Sequence, residues 1–469
     1  MKYHSTRGQA PVLDFADVVL TGLARDGGLY VPESYPQFSS EQWRKLRGKS
    51  YQEVAYAVMT PFIGSAIKPD TLKTLIDEAY AGFHHRAIAP IIQLDTNHFL
   101  LELFHGPTLA FKDYALQFLG KLFDHLLQER GERLTIIGAT SGDTGSAAIE
   151  ACRDKDTIDI FILHPHNRTS EIQRKQMTTV LSANVHNIAL NAPFDDCQTI
   201  VKRLFGDLEF RDQYNLSAVN SINWARILAQ VVYYVYTALN LGAPDRSMSF
   251  SVPTGNFGNV FAAYVAKRMG LPISKLAVGT NKNDILTRFF NSGEMSTDVV
   301  SPSIAPSMDI QISSNFERLL FEAYGCNAEH VTKTMATFDQ TGVFSVSPDV
   351  LAKLRETFVS ARLDDDSIAQ VIQETYQRSG TLIDPHTAIA CAPHLVQALP
   401  EESARISLAC AHPAKFPAAI QAAVDVFPKL PSFLGDLFER EEQFTVLEND
   451  QAVVKAFVKE TLATRSGTL

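Results

Sequence analysis

Lys112 lies in GPTLAFKDYALQFLGKLF, where a glycine-proline turn hands over to a pattern of helical spacing. A lysine amine is a nucleophile and a base once it is neutral, and it condenses with aldehydes. Its place is unusual, because the start of a helix carries the positive end of the macrodipole and disfavours a cation. A covalent bond to an aldehyde cofactor, or a lowered pKa, would remove that conflict. A plain surface lysine with Asp113 as its partner would also occupy the position, so the motif alone leaves both readings open.

Two further stretches could bind anions. In GATSGDTGSAA, from Gly138, glycines bare the backbone ahead of a helix, and Thr140, Ser141, Gly142, Asp143 and Thr144 offer amide N-H groups and hydroxyls to one oxyanion. In VPTGNFGNV, Gly255, Asn256, Phe257, Gly258 and Asn259 enter another helix. Neither has the spacing of a nucleoside-triphosphate loop or of a dinucleotide fingerprint. Glycine-rich turns also serve helix-sheet packing, so each loop singly says little. A lysine nucleophile plus two anion cradles, however, is the set that a pyridoxal phosphate enzyme requires.

These residues need strands and helices to hold them. The apolar run His98 to Phe104 predicts a strand before Lys112, and Ala115, Phe118, Leu119, Leu122, Phe123 and Leu126 predict a helix after it. Leu134–Gly138 then Ser146–Cys152, and Ile158–Leu163 then Glu171–Leu181, alternate strand with helix. Ser247–Val252 leads into a helix Val260–Arg268 ended by Gly270, Leu276–Gly279 closes that unit, and Ile406–Cys410 precedes a helix from Pro417. Helices are expected to fill most of 310–400. The pattern predicts an α/β fold with mostly parallel sheets. Residues 1–90, with the turn ARDGGLYVP, read as a small N-terminal domain, 91–430 as a catalytic region of two interleaved α/β subdomains, and 431–469 as a helical extension packed on it.

A chain of 469 residues is long enough for two or three cores. Its 42 lysines and arginines against 52 aspartates and glutamates give a formal charge of -10, which argues against nucleic acid or an acidic membrane as partner. The five cysteines, Cys152, Cys197, Cys326, Cys391 and Cys410, are scattered without CxxC spacing, so neither a disulfide framework nor a metal site is expected. The start MKYHSTRGQAP lacks a signal-peptide apolar stretch, and no run reaches the length of a membrane span. A cytoplasmic protein is the expectation, with its oligomeric state open.

In order along the chain, ARDGGLYVP, LELFHGPTLAFKDYA, GATSGDTGSAA, VNSINWARI, VPTGNFGNV, SMDIQISSNFERLL, DPHTAI and CAHPAKF resemble the threonine synthase family. That family lies within the tryptophan-synthase-β-like superfamily of fold type II pyridoxal phosphate enzymes. The resemblance implies that Lys112 binds the pyridoxal 5'-phosphate aldehyde, with Phe111 beside the ring, and that Gly255–Asn259 hold the cofactor phosphate. Thr140–Thr144 would take the substrate carboxylate. Cys410 stands where a ring-nitrogen hydroxyl is common; a thiol is a weaker partner, and a small buried cysteine reads equally well there. Asp113 reads as orienting the helix start, and His105 as a loop histidine or a catalytic group.

The implied substrate is O-phospho-L-homoserine, converted with water to threonine and phosphate. Its phosphate would fall to Ser221, Asn223, Arg226 and Lys282, with Ser314 and Asn315 lining the same pocket. A phospho-lyase releasing 2-oxobutyrate, or a non-catalytic phosphoamino-acid binding protein, would carry the same motifs.

Overall fold

The computed structural model describes residues 1–140, 142–218 and 221–466. The chain divides into two compact units, Met1–Ala115 with Ser221–Pro428, and Leu116–Asn220 with Lys429–Leu469. Among the described residues no helix is long and apolar enough to cross a membrane.

The first unit is built on a six-stranded sheet in the order Phe358–Arg362, Ile273–Thr280, Met248–Pro253, Ala404–Ala409, His98–Glu102, Ile91–Asp95. All neighbours run parallel except the last pair. Its central strands are apolar along their length, as parallel strands covered on both faces must be. Met248–Pro253 is buried at every position. Ala277 and Ala409 of the sheet pack with Ile368 and Ile372 of the Asp365–Ser379 helix and with Ile389 of the Pro385–Cys391 helix. Residues 1–90 contribute a three-stranded antiparallel sheet with Lys2–Ser5 at its centre, the helix Tyr51–Ile63 capped by Ser50, and the helix Pro69–Tyr80. Thr6 and Arg7 bond Glu317 of the Phe316–Ala323 helix, Thr6 Oγ1 at 2.6 Å and Arg7 Nη2 at 3.0 Å.

The second unit holds a five-stranded, wholly parallel sheet in the order Thr445–Leu447, Val185–Leu190, Ile158–Pro165, Leu134–Ala139, Leu216–Ser217. The C-terminal extension therefore supplies an edge strand as well as the Gln451–Ser466 helix. Val454 and Val458 of that helix join the core around Leu204 and Ile188.

The expected elements form within a few residues of their predicted ends. Gly270, at φ +93, follows its helix at the position where a left-handed residue closes the last turn. Two strands inside 310–400 were not predicted. Val343–Ser345 pairs with Glu294–Ser296, and Phe358–Arg362 extends the first sheet. Both are short and depend on partners far away in sequence, so local periodicity between helices gives no sign of them.

Candidate active site

Lys112 opens the Lys112–Arg130 helix and is half-buried, its Nζ 5.6 Å from the centre of the Phe111 ring. The dipole cost of a cation there is at most about 1 kcal/mol. Burying Phe118, Leu119, Leu122 and Phe123 on the same helix returns ~2 kcal/mol each, so the helix forms regardless of the lysine. The residues before it are hooked onto the end of the Ala404–Ala409 strand. Phe111 N-H donates to the Cys410 carbonyl at 2.8 Å, His412 N-H to the Leu109 carbonyl at 3.0 Å, and Ala110 bridges Ala411.

Asp113 is fully buried and accepts from Thr108 N at 2.8 Å and Thr108 Oγ1 at 2.5 Å. Lys415, also fully buried, donates to the Thr108 carbonyl at 2.8 Å. Burial pushes the Asp113 carboxyl up to about 6, against the Thr108 hydrogen bonds and the Lys415 charge that hold it down. A Cβ on Gly106 would lie 2.5 Å from the Asp113 Cβ, so glycine is needed for the turn to close. Asp113 thus ties the turn to the helix start.

The second cradle joins this hook through Asn259. Gly255–Phe257 lead into the Gly258–Arg268 helix, whose first amides have no partner within the helix. Phe257 adopts φ +62, and its ring turns into the aromatic core beside Phe316 at 5.2 Å, so only its backbone can serve the loop. The loop carbonyls face the other way. Ser313 Oγ donates to Gly255 O at 2.7 Å, and Asn315 N and Nδ2 donate to Asn256 O at 3.1 and 3.0 Å. Asn259 Oδ1 accepts from the hydroxyls of Tyr233 at 2.5 Å and Tyr234 at 2.7 Å, which turns its Nδ2 to the Cys410 sulfur at 3.9 Å. Cys410 is 5% exposed.

Ser221 Oγ lies 3.4 Å from Ser314 Oγ, which contacts Asn256 Oδ1 at 3.3 Å, and Asn315 Nδ2 also reaches the Ser221 carbonyl at 3.2 Å. Ser221, Ser314 and Asn315 are therefore gathered at the Gly255–Asn259 loop. Asn223 has a structural task. Its Oδ1 caps the Trp224–Asn240 helix at Ala225 N, and its Nδ2 holds the Val19 carbonyl at 2.8 Å. Arg226 is 5% exposed, and its Nε and Nη1 have no hydrogen-bond partner among the described residues. Burial pushes this guanidinium down to about 10. A buried cation without a counter-charge is costly, and an anionic ligand supplies one. Lys282 is instead paired with Asp365 at 2.8 Å, each about one-third exposed. His105 Nε2 pairs with Glu102 at 2.7 Å, the arrangement of a satisfied loop histidine.

The first cradle belongs to the second unit. Thr140 Oγ1 accepts from Gly142 N at 3.0 Å and Gly145 N at 2.9 Å, so this hydroxyl shapes the loop rather than pointing outward. Gly142 has φ +149 and a Cβ there would lie 2.4 Å from the Gln173 side chain. Gln173 Nε2 also holds Asp143 Oδ1 at 2.9 Å. Thr144 is half-exposed at the start of the Asp143–Cys152 helix. Ser141 lies outside the described residues.

Sequence reading passed over several supports. Tyr233 and Tyr234 are not singled out by any motif, although two buried hydroxyls must find acceptors. Thr108, Lys415 and Gln173 had no local sign.

Residues 2–80 match the family model for the threonine synthase N terminus, 85–345 that for pyridoxal-phosphate dependent enzymes, and 387–458 that for the threonine synthase C-terminal region. The chain is 53% identical to threonine synthase from Pseudomonas aeruginosa, with 98% of each chain covered. It is 41% identical to threonine synthase from Saccharomyces cerevisiae, again over 98% of each. Among solved structures, pyridoxal-phosphate-bound threonine synthase from Brucella melitensis superposes with a TM-score of 0.96 at 53% identity, covering 98% of this chain and 99% of that one. The Escherichia coli threonine synthase structure gives 0.82 at 29% identity, covering 98% and 100%.

Proposed function

We propose a reaction from one premise: the chain belongs to the threonine synthase family. It is a pyridoxal-phosphate-dependent lyase of the fold type II class. The substrate we assign to it is O-phospho-L-homoserine, which with water gives L-threonine and phosphate. Release of 2-oxobutyrate and a non-catalytic role draw no support from relatives that match from end to end.

The residues fit the cofactor. At Gly255 a Cβ would meet the Met308 Cα at 3.4 Å, and at Gly258 the Asn315 Nδ2 at 3.3 Å, so the loop is pressed against its backing. The observation that carries the reading is the hook of Phe111 onto Cys410, because it joins the lysine, the thiol and, through Asn259, the glycine loop. On this reading Lys112 would hold the cofactor aldehyde, Gly255–Asn259 its phosphate, and Cys410 would face its ring nitrogen. When bound, pyridoxal phosphate supplies an electron sink for charge developed at the substrate α-carbon.

Lys112, displaced by the substrate amine, becomes a free base on a half-buried stem. It removes the proton at Cα and then one at Cβ. The C-O bond at Cγ breaks and phosphate leaves, a proton returns to Cγ, water adds its oxygen at Cβ, and Cα is reprotonated. Arg226, with Ser221, Ser314 and Asn315, is our choice to hold the γ-phosphate. The 140–144 loop is assigned to the α-carboxylate. Lys282, committed to Asp365, and Asn223, committed to a cap, are the weakest substrate candidates.

We keep 1–90 as a supporting domain, 91–430 as the catalytic region and 431–469 as its extension. The family-model bound at residue 80 supports the first boundary. A cytoplasmic location is our reading of five cysteines that form no disulfide.

Incubation of purified protein with O-phospho-L-homoserine tests the assignment. Threonine and phosphate should appear in equal amounts, and Lys112→Ala should abolish both together with the visible cofactor band. Oxobutyrate in place of threonine would overturn it.

A further inference from the structure

The DPHTAI segment reaches the Phe111–Cys410 hook and the wall behind Gly255 through the side chains of Asp384, His386 and Thr387. Asp384 is fully buried and caps the short Pro385–Cys391 helix. Its carboxylate does more than a cap requires. Oδ1 accepts from Thr387 N at 3.1 Å and from the Thr387 hydroxyl, while Oδ2 accepts from His386 N at 3.0 Å and His386 Nδ1 at 2.7 Å.

Each of those two side chains passes the interaction on with a fixed polarity. The Thr387 hydroxyl gives its hydrogen to Asp384, so its oxygen is left to accept from Cys410 N at 3.2 Å. His386 Nε2 faces the N-H of Ser307 at 3.2 Å, and a backbone N-H can only donate. Nε2 is therefore bare, and the ring hydrogen sits on Nδ1, donated to Asp384. An ionised carboxylate, which only accepts, satisfies both arms at once.

The arms end at the two halves of the site. Cys410, held by its N-H, uses its carbonyl to hold Phe111, the neighbour of Lys112. Ser307 and Met308 form the wall behind Gly255, the Ser307 oxygen 3.5 Å and the Met308 Cα 3.4 Å from where a Cβ would stand.

The geometry points to Asp384 as a positioning residue that sets the Lys112–Cys410 hook through Thr387 and the Gly255 loop through His386. This rests on the assignment of those segments to the cofactor made above. Replacing the carboxylate by an amide leaves one acceptor oxygen, which can serve only one arm and serves it without charge, and puts a donor where the other arm needs an acceptor; losing a buried hydrogen bond to a charged group costs about 1.5–3 kcal/mol.

Hydrogen-deuterium exchange on the full-length holoenzyme reads the arms separately. Thr387→Val should speed exchange about tenfold at 409–412 only, and Thr387→Ser should restore it. His386→Phe should do the same at 254–259 and 305–310 only, and Asp384→Asn at all three segments. Asp384→Asn should also bind pyridoxal phosphate about tenfold more weakly and shift its visible band. Exchange in Asp384→Asn that is unchanged, or raised evenly along the chain, would overturn the proposal. Exchange raised at the named segments with cofactor affinity and band unchanged would instead overturn the cofactor assignment on which it rests. Should Asp384→Asn fail to fold, the Thr387 pair decides: Val and Ser behaving alike would end the idea.

Discussion

Cys410 is the residue whose chemistry departs most from a hydroxyl partner, and its surroundings say how much that matters. Its N-H and carbonyl are both engaged, at Thr387 and Phe111, so its backbone is fixed whatever the side chain. Cys410→Thr should therefore keep cofactor and turnover within about threefold, since a hydroxyl is at least as good a partner for a ring nitrogen or for Asn259. Cofactor titration by absorbance checks it. Asp113 carries a pH dependence of unusual sign. Its folded-state pKa, about 6, lies above the ordinary carboxylate value of 3.8, so its contribution to stability is fully present below pH 4 and is lost as pH rises through 6. The difference is worth up to about 3 kcal/mol. Asp113→Asn should lose that slope, visible in urea melts as a larger fall in midpoint from pH 7 to pH 5 than the wild type shows.

At the scale of elements, the tightest packing constraint is Gly120, in the middle of the Lys112–Arg130 helix. A Cβ there would stand 2.2 Å from the Ala151 carbonyl oxygen and 3.2 Å from the Ala151 Cβ, at the end of the Asp143–Cys152 helix. Backbone cannot give way as a side-chain tip can. Gly120→Ala should thus destabilise by about 2–3 kcal/mol despite alanine's better helix propensity, which returns at most ~1 kcal/mol. A thermal melt of the variant tests it, and a raised midpoint would refute the close approach. Elements of this kind were legible where one strand or helix decides its own form, as for Met248–Pro253 or the helix after Lys112. They were not where a distant partner decides, as for Phe358–Arg362. The same limit applies to the site. The glycine loops and Lys112 announce themselves locally, but Thr140 turning inward to hold its own loop does not. Nor does the joint hold of Asn259 by Tyr233 and Tyr234, which depends on which helices meet.

For the whole molecule, acid is the weakness to expect. Burial pushes His98, His164 and His412 down to about 4. At His164 burial outweighs the Pro165 backbone and the Glu442 charge, which favour the proton. A histidine depressed in this way contributes stability that is fully present above its unfolded value of 6.5 and is lost as pH falls toward 4, by up to about 3 kcal/mol each. Three such groups outweigh the opposite trend of Asp113, so the wild-type denaturation midpoint should fall between pH 7 and pH 5. His98→Gln, which can still donate to Ser407, should flatten part of that fall.

The bridge between Ala110 and Ala411 also orders events in time. A ribosome exports the lysine early and the strand that seats it late, with nearly the whole catalytic region made in between. A nascent chain ending before residue 404 has the nucleophile but lacks the strand end that registers it. Competence to take up the cofactor is thereby postponed until synthesis is almost complete, and a truncated chain is expected to be inert rather than partly active.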